Sequence, residues 1–294
     1  MSALHEYYPA KLLLFGEYTV LNGSQALAVP LNQYQGKWIK KDGPNPLSKN
    51  GLDKFAAWLK SKELINSETE HRILSDFENG WNFESTIPIG YGIGSSGALV
   101  AAMNDRYLSA SEDINVIHST MAQMECFFHG ASSGLDPLIS YTQKAVYKDE
   151  EGRYHAVVDP GWPEGYKIYL LDSGIGRETG PLVQKYKEKL LDPVFAEKIQ
   201  RQYIPVVEHA IHFYLAGEDK LLEEFISTIS QFQREYFQEM IPDHVKTKWD
   251  ELVSKSGVYV KLCGAGGGGF FMVITTQNKN DFNNFLVDGI LIHN

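Results

Sequence analysis

The residues best suited to chemistry lie in Pro88-Ile-Gly-Tyr-Gly-Ile-Gly-Ser-Ser-Gly-Ala98, directly before the apolar helical pattern Leu99-Val-Ala-Ala-Met103. A loop this poor in side chains lets backbone N–H groups approach an anion. The helix that follows presents its free N–H groups and the positive end of its dipole to the same point. The hydroxyls of Ser95 and Ser96 can cap that helix, contact phosphate or ligate Mg²⁺. A second glycine run, Gly264-Ala-Gly-Gly-Gly-Gly269, lies far downstream between two strand-like segments. Either loop alone could be a tight turn that binds nothing. Two such loops, with a lysine near the N-terminus and a Glu/Asp pair between them, suggest a nucleotide-dependent phosphoryl transferase. No G-x-x-x-x-G-K-[ST] occurs, so the first loop is not a Walker loop. It is not a dinucleotide fingerprint either, because no acidic residue ends a following strand at the required distance.

The elements that must position these residues follow from periodicity and punctuation. Lys11 to Val20 reads as a strand, Asn22-Gly23 as a turn and Ala26 to Leu31 as a second strand. Lys40 to Gly51 reads as a loop, and Leu52 to Leu64 and Glu68 to Phe77 as amphipathic helices. Trp81 to Thr86 is a short strand leading into the glycine loop, and the helix after it spans Ser96 to Leu108. Asp113 caps a helix reaching Phe128, His129 to Asp136 is a loop, and Pro137 opens another helix. Asp, Glu, Gly and Pro cluster between Asp149 and Gly165 and mark a boundary. Beyond it come a strand at Lys167 to Asp172 and three or four helices from Thr179 to Ser256. The strands Val258 to Cys263 and Phe270 to Thr275 flank the second glycine run, and a short helix near Asn280 to Leu286 precedes a last strand, Gly289 to Ile292. Strands and helices without regular βαβ alternation favour an α+β fold.

Composition narrows the function. A chain of 294 residues, 43% hydrophobic and 22% charged, can build one or two ordinary globular domains. The net charge of −10 argues against general nucleic-acid binding, while a local cationic pocket could still take an anionic small molecule. Cys126 and Cys263 lack CxxC spacing, so two reduced thiols of a cytoplasmic protein are expected, without a zinc site or disulfide. Met1 to Ala10 lacks the charge and apolar pattern of a secretion signal, and Leu12 to Phe15 is too short to span a bilayer. The histidines show no HExxH spacing, and His129 beside Gly130 reads as structural. The aromatic stretch Phe232 to Trp249 reads as helix core and pocket wall rather than a nucleic-acid stacking platform.

Three segments carry a family resemblance. Pro88 to Ala98 resembles the second motif of the GHMP kinases (galactokinase, homoserine kinase, mevalonate kinase, phosphomevalonate kinase). Pro9-Ala-Lys-Leu-Leu-Leu-Phe-Gly-Glu-Tyr-Thr-Val-Leu-Asn-Gly23 resembles their first motif, and Lys261-Leu-Cys-Gly-Ala-Gly-Gly-Gly-Gly269 their third. The three occur in family order across nearly the whole chain. Glu125-Cys-Phe-Phe-His-Gly-Ala-Ser-Ser-Gly-Leu-Asp136 is similar to the mevalonate kinase segment that holds a Mg²⁺-ligating Glu and a catalytic Asp, and Asp172-Ser-Gly-Ile-Gly-Arg-Glu-Thr179 reads like the same branch.

The resemblance implies a two-domain α+β fold. Residues 1–155 would form a ribosomal protein S5 domain 2-like ATP-binding domain and 156–294 a ferredoxin-like C-terminal domain. It implies ATP and Mg²⁺ as cofactors and a small-molecule hydroxyl as acceptor, mevalonate first, giving 5-phosphomevalonate for isoprenoid synthesis. A phosphomevalonate, sugar or homoserine acceptor is the alternative, and a non-catalytic ligand-binding protein or a decarboxylase of the same fold stands behind these. Neither nucleic acid nor membrane is an expected partner, and a homodimer is left open. By residue, Lys11 and Asp136 would be catalytic, with Asp136 orienting the acceptor hydroxyl and taking its proton late. Pro88, Gly90, Gly92, Gly94, Ser95, Ser96 and Gly97 would wrap the phosphates. Glu125 and Ser96 would hold the metal, with Ser95 the alternative serine. Glu17, Tyr18, Gly264, Gly266 and Gly267 would border the substrate, although the third motif could serve backbone packing alone. Read singly, Asp136 fits a helix N-cap, Glu125 an exposed helix residue and Lys11 a surface charge. The chain departs from the mevalonate kinase pattern at Ala10, at Cys263 and at Tyr18, where a histidine is usual; Gly-Glu-Tyr is a phosphomevalonate kinase feature. Arg177 and Lys185 are the visible cations for a phosphorylated acceptor.

Overall fold

Tyr8–Phe15 forms strand β1, buried along its whole length. A strand covered on both faces shows a continuous apolar run rather than alternation, as this segment does. The computed structural model describes residues 4–42, 51–108, 111–130, 132–276 and 289–293. In it β1 pairs antiparallel with β2 (Ala26–Lys40). Strand β2 also pairs with β3 (Trp81–Ser85) and β4 (Ala145–Lys148), and β4 with β5 (Tyr154–Val157), which completes a five-stranded sheet.

The sheet departs from the sequence expectation in three places. The first strand ends at Phe15 instead of Val20, because Tyr18 takes a φ of 66° and Thr19–Asn22 forms a 3-10 turn closed by left-handed Gly23. The second strand continues past Leu31 to Lys40, its distal half only part-buried and therefore free to carry polar residues. Strand β4 lies just before the expected boundary, where no element was read, and β5 lies inside it, since strands of four residues leave little periodic signal. As β5 spans positions 155 and 156, we propose that the domain division falls in the connection after Val157.

Helices α1 (Asp53–Ser61), α2 (Ser67–Glu78), α3 (Ser95–Tyr107), α4 (Ile114–His129) and α5 (Leu135–Thr142) complete the N-terminal half. Asn66 caps α2 by accepting the Thr69 N–H, and Asp113 caps α4 by accepting the Asn115 N–H, each at 2.8 Å. Helix α5 starts two residues before Pro137 with Gly134 as its N-cap, so Asp136 lies in the first turn and does not cap it.

The second half is built on β6 (Lys167–Asp172), β7 (Val258–Leu262), β8 (Phe270–Thr275) and β9 (Gly289–His293), in the order β7-β8-β6-β9 with every pair antiparallel. That is the order of a ferredoxin-like sheet. Five α-helices, not three or four, join β6 to β7: α6 (Thr179–Lys189), α7 (Pro193–Lys198), α8 (Ile204–Ala216), α9 (Asp219–Tyr236) and α10 (Asp243–Val253). The extra break falls where Asp192 caps α7 with Pro193 at its first position. The helix expected at Asn280 to Leu286 lies outside the described residues. The core is continuous between the halves: the Phe15 ring meets Trp162 and Tyr214, and the Tyr18 ring meets Tyr186 and Phe237. Among the described residues, no helix is long and apolar enough to cross a membrane.

Candidate active site

Lys11 is carried by β1, and its backbone N–H donates to the Ile93 carbonyl at 2.8 Å, which hangs the glycine loop on the sheet. The Lys11 side chain is buried, not a surface charge, and its Nζ lies 2.8 Å from Asp136 Oδ1. Helix α5, which carries Asp136, is fastened to the same strand: Ser140 Oγ donates to the Pro9 carbonyl at 2.7 Å, and Gln143 Nε2 to the Tyr7 carbonyl at 2.6 Å. The ion pair is thus set by backbone anchors on both sides.

The glycine loop ends at Gly94, the left-handed N-cap of α3. The first N–H groups of α3 have no intrahelical acceptor, so this end of the helix is suited to an anion. Gly97 lies in that first turn, and a Cβ there would sit 2.7 Å from Asp136 Cβ and 2.8 Å from Pro137 N. Only a glycine lets the first turn of α3 rest on the turn that carries Asp136.

Glu125 on α4 is 4% exposed, which excludes a plain surface role. Ser96 Oγ donates to Glu125 Oε1 at 3.0 Å, and Ser132 Oγ donates to Oε2. Ser96, not Ser95, is the serine that reaches Glu125. Burial, and then the neighbouring Asp136 charge, push the Glu125 carboxyl up to about 7, against the pull of Ser132, Ser96 and Lys11. A buried carboxylate supported by hydroxyls and beside a second carboxylate would be relieved by a cation. Its donor set with Ser96 is hard oxygen, which suits Mg²⁺, an ion that takes few protein ligands and completes its shell with phosphate and water. Among the described residues there is no group of three or more His, Cys, Asp or Glu side chains that could hold a metal ion.

The second glycine run is a close-packed spacer against the first. Gly267 N–H donates to the Met240 carbonyl, Gly269 N–H donates to the Ile175 carbonyl, and a Cβ on Gly269 would lie 2.4 Å from the Tyr91 carbonyl oxygen. Gly264 and Gly266 belong to the same contact surface, and the Tyr18 hydroxyl donates to the Ala265 carbonyl between them at 2.5 Å. Glu17 is sealed behind this layer. It pairs with Lys261 Nζ, and both side chains are 1% exposed. Burial pushes the Glu17 carboxyl up and Lys261 draws it back.

Arg177 runs between the two glycine runs. A Cβ on Gly92 would lie 2.1 Å from Arg177 Nη2, and one on Gly264 would lie 3.0 Å from it. Its N–H donates to the Gly90 carbonyl at 2.9 Å, and Nη1 donates to Thr179 Oγ1. The buried Nε has no hydrogen-bond partner, no carboxylate among the described residues pairs with the guanidinium, and burial lowers its pKa. Lys261 and the contact of His129 with Ser96 were not foreseen from sequence.

Residues 59–144 match the family described as GHMP kinases N terminal domain. Over these residues the chain is similar to the GHMP kinases. It is similar to the mevalonate kinase of Archaeoglobus fulgidus, 26% identical over 269 residues that cover 89% of this chain and 88% of that one. Among solved structures it is similar to the Methanococcus jannaschii mevalonate kinase (TM-score 0.65, 17% identity, 100% and 99% of the two chains). It is equally similar to the Streptococcus pneumoniae phosphomevalonate kinase (TM-score 0.66, 14% identity, 98% of each). The GHMP kinase fold thus spans the whole chain, and its glycine loop and the Glu125 segment lie inside the matched N-terminal domain.

Proposed function

We propose that this chain is an ATP- and Mg²⁺-dependent kinase that phosphorylates the primary hydroxyl of mevalonate. The observation that carries the reading is the Lys11–Asp136 pair, 2.8 Å apart beside the N-terminus of α3. Phosphoryl transfer through a loose transition state depends on positioning and charge neutralisation. With Oδ1 held by Lys11, the second Asp136 oxygen can accept the hydrogen bond of the acceptor hydroxyl and aim its oxygen in line. The new O–P bond forms as the bond to the β-phosphate oxygen breaks, ADP leaves, and the hydroxyl proton passes to Asp136. Lys11 offsets negative charge on the transferring group and the acceptor oxygen. The α3 N–H groups and the glycine loop take the phosphates. Ser96 and Glu125 would hold Mg²⁺, which supplies neutralisation of the phosphate charge.

Arg177 supports an acceptor with one anionic group. It is a desolvated cation without a carboxylate, placed between the two glycine runs, and a carboxylate such as that of mevalonate would satisfy it. Among the described residues Lys261 is spoken for by Glu17 and Lys185 is exposed on α6, so a second anion on the acceptor would find no further buried cation there. This favours mevalonate over phosphomevalonate. Two free thiols, one buried and one half-buried, fit a reducing cytoplasmic compartment.

ADP release from Mg·ATP with mevalonate, phosphomevalonate, homoserine and galactose tests the reading. Turnover on mevalonate alone supports it. Turnover on another acceptor keeps the reaction and moves the substrate, and ATP binding without any turnover favours a ligand-binding protein.

A further inference from the structure

His129 is the last residue of α4, and its imidazole is exposed at the mouth of the candidate site. The helix ends there because Gly130, whose N–H still donates to the Cys126 carbonyl at 2.8 Å, turns to a φ of 72°. A histidine at a helix C-terminus has a sufficient structural reason in the helix dipole. This one does more, because its Nε2 lies 2.9 Å from Ser96 Oγ. Glu125, four residues earlier on α4, lies on the same helix face and accepts a hydrogen bond from the same hydroxyl at 3.0 Å. Ser96 is therefore gripped by two residues of one helix.

A hydroxyl has one proton and two lone pairs. With Glu125 ionised, the Ser96 proton points to Oε1, and the hydrogen-bond network assigns the proton between Ser96 and His129 to Nε2 of the imidazole. One lone pair is then used by His129, and a single lone pair remains for an incoming ligand. Glu125 is itself held in place, since Ser132 Oγ donates to its other oxygen while accepting the Gly134 N–H at 2.9 Å. Without the imidazole, Ser96 Oγ would keep one fixed hydrogen bond about which it could rotate.

We propose that His129 is a positioning residue for Ser96: its Nε2–H fixes the hydroxyl so that one lone pair is presented to the divalent cation of the nucleotide complex. The proposal rests on the kinase reading above. It assigns His129 no proton transfer and no direct contact with the acceptor.

The test measures Mn²⁺ retained by the protein with ATP, by electron paramagnetic resonance without acceptor, beside the Mg²⁺ dependence of ADP release. His129→Ala should weaken Mn²⁺ retention by about 10-fold, as removal of an outer-shell partner commonly does, and should raise the Mg²⁺ needed for half-maximal rate to a similar degree. His129→Gln, whose amide N–H can stand in for Nε2–H, should restore most of the loss. In a Ser96→Ala background, His129→Ala should add nothing, because the group it positions is gone. Unchanged Mn²⁺ retention in His129→Ala, an equal loss in His129→Gln, or a full additional loss in the Ser96→Ala background would each overturn the proposal. A wild-type protein that retains no Mn²⁺ with ATP would instead overturn the kinase reading, and this proposal with it.

Discussion

A Cβ on Gly97 would lie 2.7 Å from the Cβ of Asp136, so the first turn of α3 and the first turn of α5 are in direct contact. On the proposed reading, the phosphate end and the acceptor end of the site would thereby be one rigid unit. Gly97→Ala would gain up to about 1 kcal/mol of helix propensity while forcing the two turns apart. A displacement near 1 Å at reacting groups can cost about 10²-fold in rate. Gly97→Ala is expected to lower kcat by about that factor and also to lower Tm, since the added methyl meets backbone and overpacking costs about 1–3 kcal/mol. Steady-state kinetics and a thermal melt on one preparation check this.

Asp136→Asn removes the proton acceptor and keeps the shape. The expected loss in kcat is about 10²–10⁴-fold, with ATP affinity by calorimetry close to wild type, since on the proposed reading the phosphates would rest on the loop and α3. Near-normal turnover would remove Asp136 from the mechanism.

Glu125 gives the apo protein a pH-dependent stability. Between about 4.5, the ordinary value, and about 7, the folded chain keeps a proton that the unfolded chain has released. This contribution is complete below the unfolded value and is lost as pH rises through about 7. The apo Tm should therefore decline from pH 5 to pH 8 relative to Glu125→Gln, which carries no such proton. Mg·ATP, which favours the ionised form, should reduce the difference between the two proteins.

The Glu17–Lys261 pair joins the turn after β1 to strand β7, across the two halves. Removing one member leaves an uncompensated charge in the core, at a cost of about 3–5 kcal/mol. Glu17→Gln and Lys261→Met are each expected to show that loss in denaturant unfolding. Glu17→Gln combined with Lys261→Met should recover much of it, since neither charge then remains.

Arg177→Gln should act on the acceptor more than on the nucleotide. Loss of a charged hydrogen bond of about 1.5–3 kcal/mol corresponds to about a 10–150-fold rise in KM for mevalonate, with the KM for ATP changed much less. A rise in the ATP constant alone would place Arg177 on the nucleotide instead.

The sequence made the site legible where function lies in contiguous residues. Ser96, Gly97 and the glycine loop stand together, Glu125 and Asp136 lie in one segment, and all of them converge around Lys11. The parts not foreseen are contacts between distant positions. Lys261 meets Glu17 across a separation of 244 residues, and Arg177 reaches Gly92 and Gly264 from a loop after β6. No local pattern announces such partners. The fold followed the same rule: β6 and β8 were legible from dense apolar runs, whereas the distal half of β2 and the short β5 are part-exposed and their polar residues hid them. Tyr18, the departure from the usual histidine, is buried with its hydroxyl on the Ala265 carbonyl, a contact between distant positions that no local pattern announced.

The most direct test of the central claim is phosphorus NMR of the product formed from mevalonate and Mg·ATP. The expected result is stoichiometric ADP and one new phosphomonoester resonance on the primary alcohol of mevalonate, absent with Asp136→Asn over the same time. ATP left intact, or hydrolysed to free phosphate with mevalonate unchanged, would contradict the account.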